Sequence, residues 1–283
     1  MKQKTLKNSF SVVGTGLHTG VPVNMEVRPA PENTGYVFVR TDLDDFEIPA
    51  SVEYISHCSY ATTLLKNGVV LSTCEHLLSA LRGLGVDNCF IHLDNIEIPI
   101  LDGSSENFVD LILSAGFTYQ DAPKRFLRVL KKVEYAHGDR HMSIEPSECF
   151  DIECLIDFDH PMIGTQTFNL RVTEEVYGRE IASARTFGFT HEIEQLRKAN
   201  LALGGSLDNA IVLDEQGMLN DAPLRFQNEF VRHKILDLVG DLALLGMPLM
   251  GKVTAHKSGH AVHASMMATL LKTSDAWEIV ESA

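Results

Sequence analysis

The chain has 283 residues, of which 45% are hydrophobic and 22% are charged, as in a packed globular protein and unlike a disordered or fibrous one. Asp and Glu total 38 against 24 Lys and Arg, so the formal net charge is −14. A surface of that sign repels nucleic acid and anionic lipid headgroups, so an anionic partner must be bound by local positive charge.

The cysteines and the apolar stretches predict a cytoplasmic chain without a membrane span. The five cysteines include no Cys-x-x-Cys pair and lie in apolar stretches, as expected for reduced thiols. The basic start of the chain precedes polar residues rather than an apolar run, so we expect no signal peptide. The longest uncharged apolar stretch, residues 242–251, is far shorter than the roughly 20 residues that span a bilayer.

Hydrophobic periodicity predicts both strands and helices in each half of the chain. The first half is predicted to contain strands at residues 21–27 and 35–39, a helix at 73–84, a strand at 89–93 and a helix at 106–115. The second half is predicted to contain strands at residues 127–130 and 150–156 and helices at 192–199, 225–245 and 261–271. Runs of strands followed by helices indicate an α+β fold rather than a regular βαβ alternation.

A polar segment with a proline, residues 120–124, predicts a boundary between two domains. It divides the chain into residues 1–122 and 123–283, each of ordinary domain size. The glycine-rich segments of the chain lack the strand-loop-helix spacing of dinucleotide and phosphate loops, which excludes those two nucleotide-binding motifs.

The helix predicted at residues 225–245 carries a candidate pair of metal ligands. His233 and Asp237 are four residues apart, so an imidazole and a carboxylate share one helix face and can bind one ion. Asp241 extends the same face by another turn. An exposed polar stripe with a His–Asp pair is the more common explanation of such spacing. The apolar residues around this pair favour burial, and buried ionisable groups need partners.

Residues 72–76 begin another predicted helix and allow two interpretations. Ser72 and Glu75 have the spacing of a capping box, which gives Glu75 a structural role. Alternatively, His76 is a third metal ligand and Glu75 acts on water at the open position of a catalytic zinc site. The spacing does not decide between these interpretations, and it does not place His76 near His233.

Three histidines surround a Ser-Gly turn before the last predicted helix. His256 and His263 are interpreted as surface residues. His260 directly follows the turn and is better placed to face a cleft as a general acid. Thr186 lies in a segment, residues 184–189, whose pattern alone predicts no more than a loop with core anchors.

Seven ordered motifs together resemble the bacterial UDP-3-O-acyl-N-acetylglucosamine deacetylases, the zinc amidases of lipid A biosynthesis. These motifs cover nearly the whole chain and are GTGLHTG (residues 14–20), CEHLLSAL (74–81), EIPILDG (97–103), ARTFGF (184–189), LGGS (203–206), FVRHKILD (230–237) and KSGHA (257–261). The resemblance implies one catalytic Zn²⁺ per chain, bound by His76, His233 and Asp237 with a fourth position open to water.

The resemblance also implies a role for each of five further residues. Glu75 matches the general base of the family and His260 its general acid. Asp241 matches the carboxylate that orients a cationic His260. Thr186 matches the residue that helps to hold the oxyanion, and Lys234 a cationic contact beside the metal.

The implied fold consists of two similar α+β domains, each a sheet layered on helices, with the helices packed between the two sheets. Small inserts form an acyl-chain passage. The candidates for its wall, each of which ordinary core packing also explains, are Phe187, Phe189, Ile193, Leu203, Leu207, Ala210 and Val212. Further candidate substrate contacts are Thr186, Gly205 and Lys234.

The implied reaction is hydrolysis of the acetamide of UDP-3-O-acyl-N-acetylglucosamine to UDP-3-O-acyl-glucosamine and acetate, the committed step of lipid A biosynthesis. We expect a cytoplasmic monomer that binds no nucleic acid and attracts its anionic substrate through zinc, Lys234 and Lys257. Two alternatives remain open: another zinc amidase or peptidase, and a non-catalytic protein in which zinc joins two domains.

Overall fold

The computed structural model describes residues 1–282, which form 18 strands and six α-helices. The helices are α1 (Glu75–Gly83), α2 (Glu106–Ala115), α3 (Glu174–Glu180), α4 (Thr190–Lys198), α5 (Glu229–Leu242) and α6 (His260–Lys272). Short 3-10 helices lie at Thr41–Leu43, Val52–Tyr54 and Ala243–Leu245.

The strands of the first half are β1 (Lys2–Leu6), β2 (Phe10–Thr15), β3 (Pro22–Pro29), β4 (Tyr36–Arg40), β5 (Phe46–Pro49), β6 (Thr63–Lys66), β7 (Val69–Ser72), β8 (Cys89–Leu93) and β9 (Phe117–Pro123). Those of the second half are β10 (Arg125–Val129), β11 (Val133–His137), β12 (Arg140–Glu145), β13 (Phe150–Phe158), β14 (Gly164–Arg171), β15 (Phe187–Phe189), β16 (Ile211–Leu213), β17 (Leu249–His256) and β18 (Trp277–Glu281).

Two large sheets contain most of the strands. One has five strands in the order β2-β3-β8-β4-β5. The other has seven, with β11-β12-β17-β10-β18 in a row and with β13, which also pairs with β14, on β17. Neighbours in both sheets are antiparallel except for the pairs β4–β8, β10–β17 and β13–β17. This largely antiparallel arrangement with separate helices confirms the predicted α+β class.

Helices α1, α2, α5 and α6 lie between the two sheets. Helix α2 packs on β2 of the five-stranded sheet, whereas α5 and α6 pack on the seven-stranded sheet. The two layers meet where α1 packs against α5. In α5, every residue except Arg232 and Lys234 is buried, because a helix enclosed on all sides has only a narrow path to solvent.

Most predicted elements are observed with small shifts in their ends. The helix predicted at residues 106–115 matches α2, whereas α5 begins four residues later than predicted, at Glu229 instead of position 225. The capping-box prediction is wrong. Ser72 remains in strand β7, where its hydroxyl pairs with that of Thr63 at 3.0 Å, and Thr73 then turns the chain with φ at 58°.

The segment predicted to separate two domains is ordered. Residues 117–123 form β9, which pairs with β1, and Lys124 donates hydrogen bonds to the Gly85 carbonyl oxygen and to Asp87. The chain enters the seven-stranded sheet at Arg125. The limits 1–122 and 123–283 therefore stay a prediction.

Within residues 1–282, all five cysteines are free, and no helix is long and apolar enough to cross a membrane.

Candidate metal centre and active site

Three residues from two helices converge at one buried point. His76 lies at the start of α1, and His233 and Asp237 lie one turn apart on α5. Asp237 Oδ1 is 3.2 Å from His233 Nε2 and 3.6 Å from His76 Nε2. One ligand atom from each residue lies within 4.8 Å of the other two, so a single ion can contact all three. The structure thus brings together the three residues that the resemblance named.

The chemistry of this donor set fits zinc. His233 Nδ1 donates to the carbonyl oxygen of Ala184 at 3.0 Å, which directs Nε2 towards Asp237. Burial lowers the pKa of His233 to about 3, so its imidazole is neutral. The nearby His76 acts in the same direction, whereas the charge of Asp237 opposes it. Burial acts to raise the pKa of Asp237, but His233 and Lys234 hold it well below its usual range. Neutral imidazoles and a carboxylate are ordinary zinc ligands.

Lys234 lies beside the proposed ligands rather than among them. Its Nζ donates to Asp237 Oδ2 at 2.9 Å and lies 5.4 Å from the centre of the Phe187 ring. Burial acts to lower the pKa of Lys234, but the carboxylates of Asp237, Asp241 and Glu75 raise it. Lys234 therefore supplies a permanent positive charge next to the metal-binding residues.

Glu75 lies directly before His76 and is almost completely buried, with 3% of its surface exposed. Its Oε2 accepts a hydrogen bond from the backbone N–H of Thr62 at 3.1 Å, and its Oε1 is 3.8 Å from His260 Nε2. Burial raises the pKa of Glu75, although the charges of His260 and His76 oppose this effect. A carboxylate of increased basicity at this point is suited to accept a proton from water.

His260, the first residue of α6, is paired with Asp241 of α5. Its Nδ1 donates to Asp241 Oδ2 at 2.7 Å, and its Nε2 is 4.0 Å from Asp237 Oδ2. Burial acts to lower the pKa of His260, but Asp241, with help from Glu75 and Asp237, raises it to about 10. His260 is therefore a cation that presents an N–H group to the metal-binding residues.

His263 contradicts the prediction that it is a surface residue. Only 1% of it is exposed, and its Nδ1 lies 2.7 Å from Asp241 Oδ2. The reason is helical periodicity, since residues three apart on α6 share the face that packs on α5.

Thr62 was also missed as part of this group, and its hydroxyl donates to Asp241 Oδ1 at 2.5 Å. His256 lies outside the group, in β17 beside His141.

A cavity of about 430 Å³ adjoins this centre. Its lining includes most of the predicted contacts, namely Thr186, Phe187, Ile193, Gly205, Leu207, Ala210 and Val212. The Phe187 ring is 6.3 Å from that of His233, so the cavity leads towards the metal-binding residues. Parts of the lining that sequence reasoning missed are Leu17, His18, Tyr60, Thr190, Glu192, Leu196 and Arg197.

Three predicted contacts lie elsewhere in the described part of the chain. Phe189 stacks on His191, with ring centres 5.6 Å apart, and faces a neighbouring cavity. Leu203 is 50% exposed. Lys257 Nζ pairs with Asp157 at 2.8 Å and with Asp139 at 3.2 Å, so its charge is largely neutralised away from the site. Of the two lysines expected to attract the substrate, only Lys234 lies at the centre.

The comparison with known proteins decides the family. The family described as LpxC, UDP-3-O-acyl N-acetylglycosamine deacetylase, matches residues 3–272. The chain belongs to the LpxC family. Two proteins named UDP-3-O-acyl-N-acetylglucosamine deacetylase are similar to it, from Hahella chejuensis (strain KCTC 2396) at 48% identity and Coxiella burnetii (strain Dugway 5J108-111) at 50%. The alignments cover 99% of this chain and 94% and 93% of those proteins, respectively.

Membership of the LpxC family confirms the resemblance drawn from the seven motifs. Every predicted metal-binding and catalytic residue falls within the matched range, residues 3–272. LpxC proteins are metal-dependent deacetylases, so the chain is an amide hydrolase. This result argues against the alternative in which zinc only joins two domains.

Proposed function

We propose that this protein hydrolyses the acetamide of UDP-3-O-acyl-N-acetylglucosamine with one water molecule, giving UDP-3-O-acyl-glucosamine and acetate, the committed step of lipid A biosynthesis. The observation that carries the proposal is the convergence of His76, His233 and Asp237 beside Glu75 and His260. A second support is that two relatives, 48% and 50% identical over 94% and 93% of their own length, are named for this substrate.

The resident metal in this proposal is a single Zn²⁺, held by His76, His233 and Asp237. When bound, zinc supplies Lewis acidity, which polarises an amide carbonyl and lowers the pKa of water. The protein contributes the orientation of these ligands, because Ala184 fixes the His233 ring and α5 fixes the distance from His233 to Asp237.

Glu75 and His260 are the proposed base and acid. Glu75 accepts a proton from the attacking water as the new C–O bond forms. His260 then donates its Nε2 proton to the amine nitrogen as the C–N bond breaks, so the sugar leaves as a neutral amine. Glu75 Oε1 and His260 Nε2 are 3.8 Å apart, so both groups can reach the same amide.

Other residues of this chain stabilise the charge that develops on the substrate. We assign to the Thr186 hydroxyl a hydrogen bond to the carbonyl oxygen as that oxygen becomes negative. Lys234 adds a positive charge on the same side of the site, and this local charge attracts the anionic substrate against the net charge of −14. Asp241 keeps His260 protonated.

The cavity is the proposed binding site for the acyl chain of the substrate. Its aliphatic and aromatic lining residues, among them Phe187, Ile193, Leu207 and Val212, offer an apolar surface beside the reacting amide. We further propose that the protein acts as a cytoplasmic monomer, in keeping with its five free cysteines.

The test is acetate release from UDP-3-O-acyl-N-acetylglucosamine by the purified protein, with zinc content measured on the same sample. We expect acetate in one-to-one yield with the free amine and about one zinc per chain. An acetylated peptide serves as the competing substrate. Faster deacetylation or cleavage of the peptide would favour the alternative zinc amidase or peptidase, and an active protein without metal would contradict the mechanism.

A further inference from the structure

We infer that His263 is a positioning residue for the proposed reaction: it fixes the Asp241 carboxylate in the orientation in which Asp241 holds His260. This inference rests on the proposed function, because it assigns His263 a role in the deacetylation. It concerns a residue that is neither one of the three proposed metal ligands nor part of the cavity lining.

The Asp241 carboxylate receives hydrogen bonds from three different side chains. Its Oδ2 accepts from Nδ1 of both His260 and His263, each at 2.7 Å, and its Oδ1 accepts from the Thr62 hydroxyl at 2.5 Å. Asp241, Thr62 and His263 are each 1% exposed, so bulk water does not compete for these bonds. A carboxylate with three fixed donors has one defined orientation, whereas its terminal torsion is otherwise broad.

His263 is itself held at both ring nitrogens. Its Nδ1–H donates to Asp241 Oδ2 at 2.7 Å, and its Nε2 forms a hydrogen bond with the Ser258 hydroxyl at 3.0 Å. Ser258 lies in the turn before α6, so the imidazole connects that turn to α5. Contacts at both ring nitrogens fix the orientation of the His263 imidazole, and donors held in this way orient catalytic groups.

The relative orientation of the two rings explains how Asp241 Oδ2 accepts hydrogen bonds from both histidines. The His260 and His263 rings meet edge to face, with centres 6.1 Å apart and an angle of 81° between the planes. This edge-to-face arrangement lets both Nδ1 atoms reach Oδ2 while His260 Nε2 lies 3.8 Å from Glu75 Oε1. Without His263, only His260 and Thr62 hold the carboxylate, so Asp241 and the His260 bound to it have more freedom to turn.

The decisive variants are His263→Asn and His263→Leu. The Asn amide can place an N–H group near the position of the imidazole Nδ1, whereas Leu fills a similar volume without a donor. We expect His263→Leu to lower kcat by about 10- to 100-fold, as is typical when a supporting hydrogen bond to an active-site group is lost, with little change in KM. His263→Asn should restore most of kcat. Zinc content should match the wild type in both variants.

Two controls separate this role from a structural one. His141→Leu changes a histidine on β12, outside the site, and should leave kcat unchanged. In an Asp241→Ala background, His263→Leu should cause little further loss of kcat, because the residue through which it acts is gone.

Several outcomes would overturn the inference. One is a wild-type kcat in His263→Leu, and another is an equal loss of kcat in the Leu and Asn variants. A third is a loss of kcat in His263→Leu that adds fully to that of Asp241→Ala. If His263→Leu does not fold, His263→Ala replaces it, and failure of both would establish a structural role instead. A wild-type protein that releases no acetate would refute the proposed function itself, which these variants alone cannot do.

Discussion

Gly240 of α5 lies directly against the backbone of Glu75 in α1: a Cβ atom at position 240 would be 2.0 Å from the Glu75 carbonyl oxygen. Ser79, one turn further along α1, donates a hydrogen bond to the Leu236 carbonyl oxygen at 2.7 Å. These two contacts bring the start of α1 to the middle of α5. The candidate site depends on this approach, since α1 carries Glu75 and His76, and α5 carries the residues opposite them.

Gly240→Ala should therefore damage both stability and activity. The added methyl group meets backbone, which cannot rotate away, so the helices must separate. Overpacking of this kind costs about 1–3 kcal/mol and occasionally more. The free energy of unfolding from urea titration and the rate of acetate release should both fall, and the loss of activity should persist at temperatures where the variant is fully folded.

The matched control is Gly178→Ala in α3. Apart from its chain neighbours and the backbone of α3 itself, no atom of residues 1–282 would lie within 4 Å of a Cβ at this position, so the substitution adds no clash. Alanine favours helix over glycine by roughly 1 kcal/mol, and we expect unchanged or slightly higher stability. Equal behaviour of the two variants would refute the proposed role of the Gly240 contact.

Removal of a metal ligand should abolish zinc binding. His76→Ala and His233→Ala each delete one of three protein ligands, and elemental analysis should show zinc falling from about one per chain to a small fraction. Acetate release should disappear in parallel. His256→Ala removes a histidine outside the group and should retain the metal. Full zinc content in either ligand variant would contradict the assigned ligand set.

Loss of the proposed base or acid should leave the metal in place. Glu75→Gln keeps an acceptor for the Thr62 N–H, and His260→Gln keeps a donor for Asp241, so both variants should fold and bind zinc. Loss of general acid or base catalysis typically costs about 10²–10⁴ in rate. We expect kcat to fall in that range for each variant. A decrease of only a few-fold would remove that residue from the mechanism.

Sequence alone predicts the part of the site that lies within one helix. His233, Asp237 and Asp241 were found from helical spacing, because residues four apart share a face wherever a helix forms. His76 precedes His233 by 157 residues (233 − 76), and periodicity says nothing about such a distance. Only the resemblance joined the two, and physically their meeting depends on the close approach at Gly240.

The residues that sequence reasoning missed have identifiable causes. Thr62 precedes β6 in an irregular segment, where no periodic signal marks a buried hydroxyl. His263 did carry a signal, since it is three residues after His260 on the same helix. The seven-residue helix α3 was not predicted, because it is short and contains Gly178. Within the two sheets, β3, β4, β8, β10 and β13 were predicted from alternation, because alternate side chains of a strand face opposite sides of the sheet. Strands β14 and β17 were not predicted, although burial alternates along both.

A buried ion pair should be important for the stability of the second half. The carboxylate of Glu229, which is 0% exposed, accepts hydrogen bonds from the backbone N–H and Nε of Arg185 and from the backbone N–H of Arg225. Glu229→Ala leaves the Arg185 charge buried without its partner, which typically costs about 3–5 kcal/mol. The free energy of unfolding should show this loss, and Glu229→Gln should lose less.

An exposed pair provides the comparison. Glu175 and Arg179 form an i,i+4 pair on the surface of α3, and Glu175→Ala should change stability very little, because solvent screens both charges. Similar losses in Glu229→Ala and Glu175→Ala would contradict the importance assigned to the buried pair. Because Arg185 precedes Thr186, we expect Glu229→Ala also to impair acetate release.

Ala210 tests whether the cavity binds the acyl chain. Ala210→Phe adds a ring to the cavity wall, so a long acyl chain must compete with it for space. If steric conflict costs about 1–3 kcal/mol, KM for the long-chain substrate should rise about 5- to 150-fold. A substrate with a truncated acyl chain should keep its wild-type KM. Ala136→Phe, on the exposed face of β11, is the control for the added ring. An equal rise in KM for both substrates would place the acyl chain elsewhere.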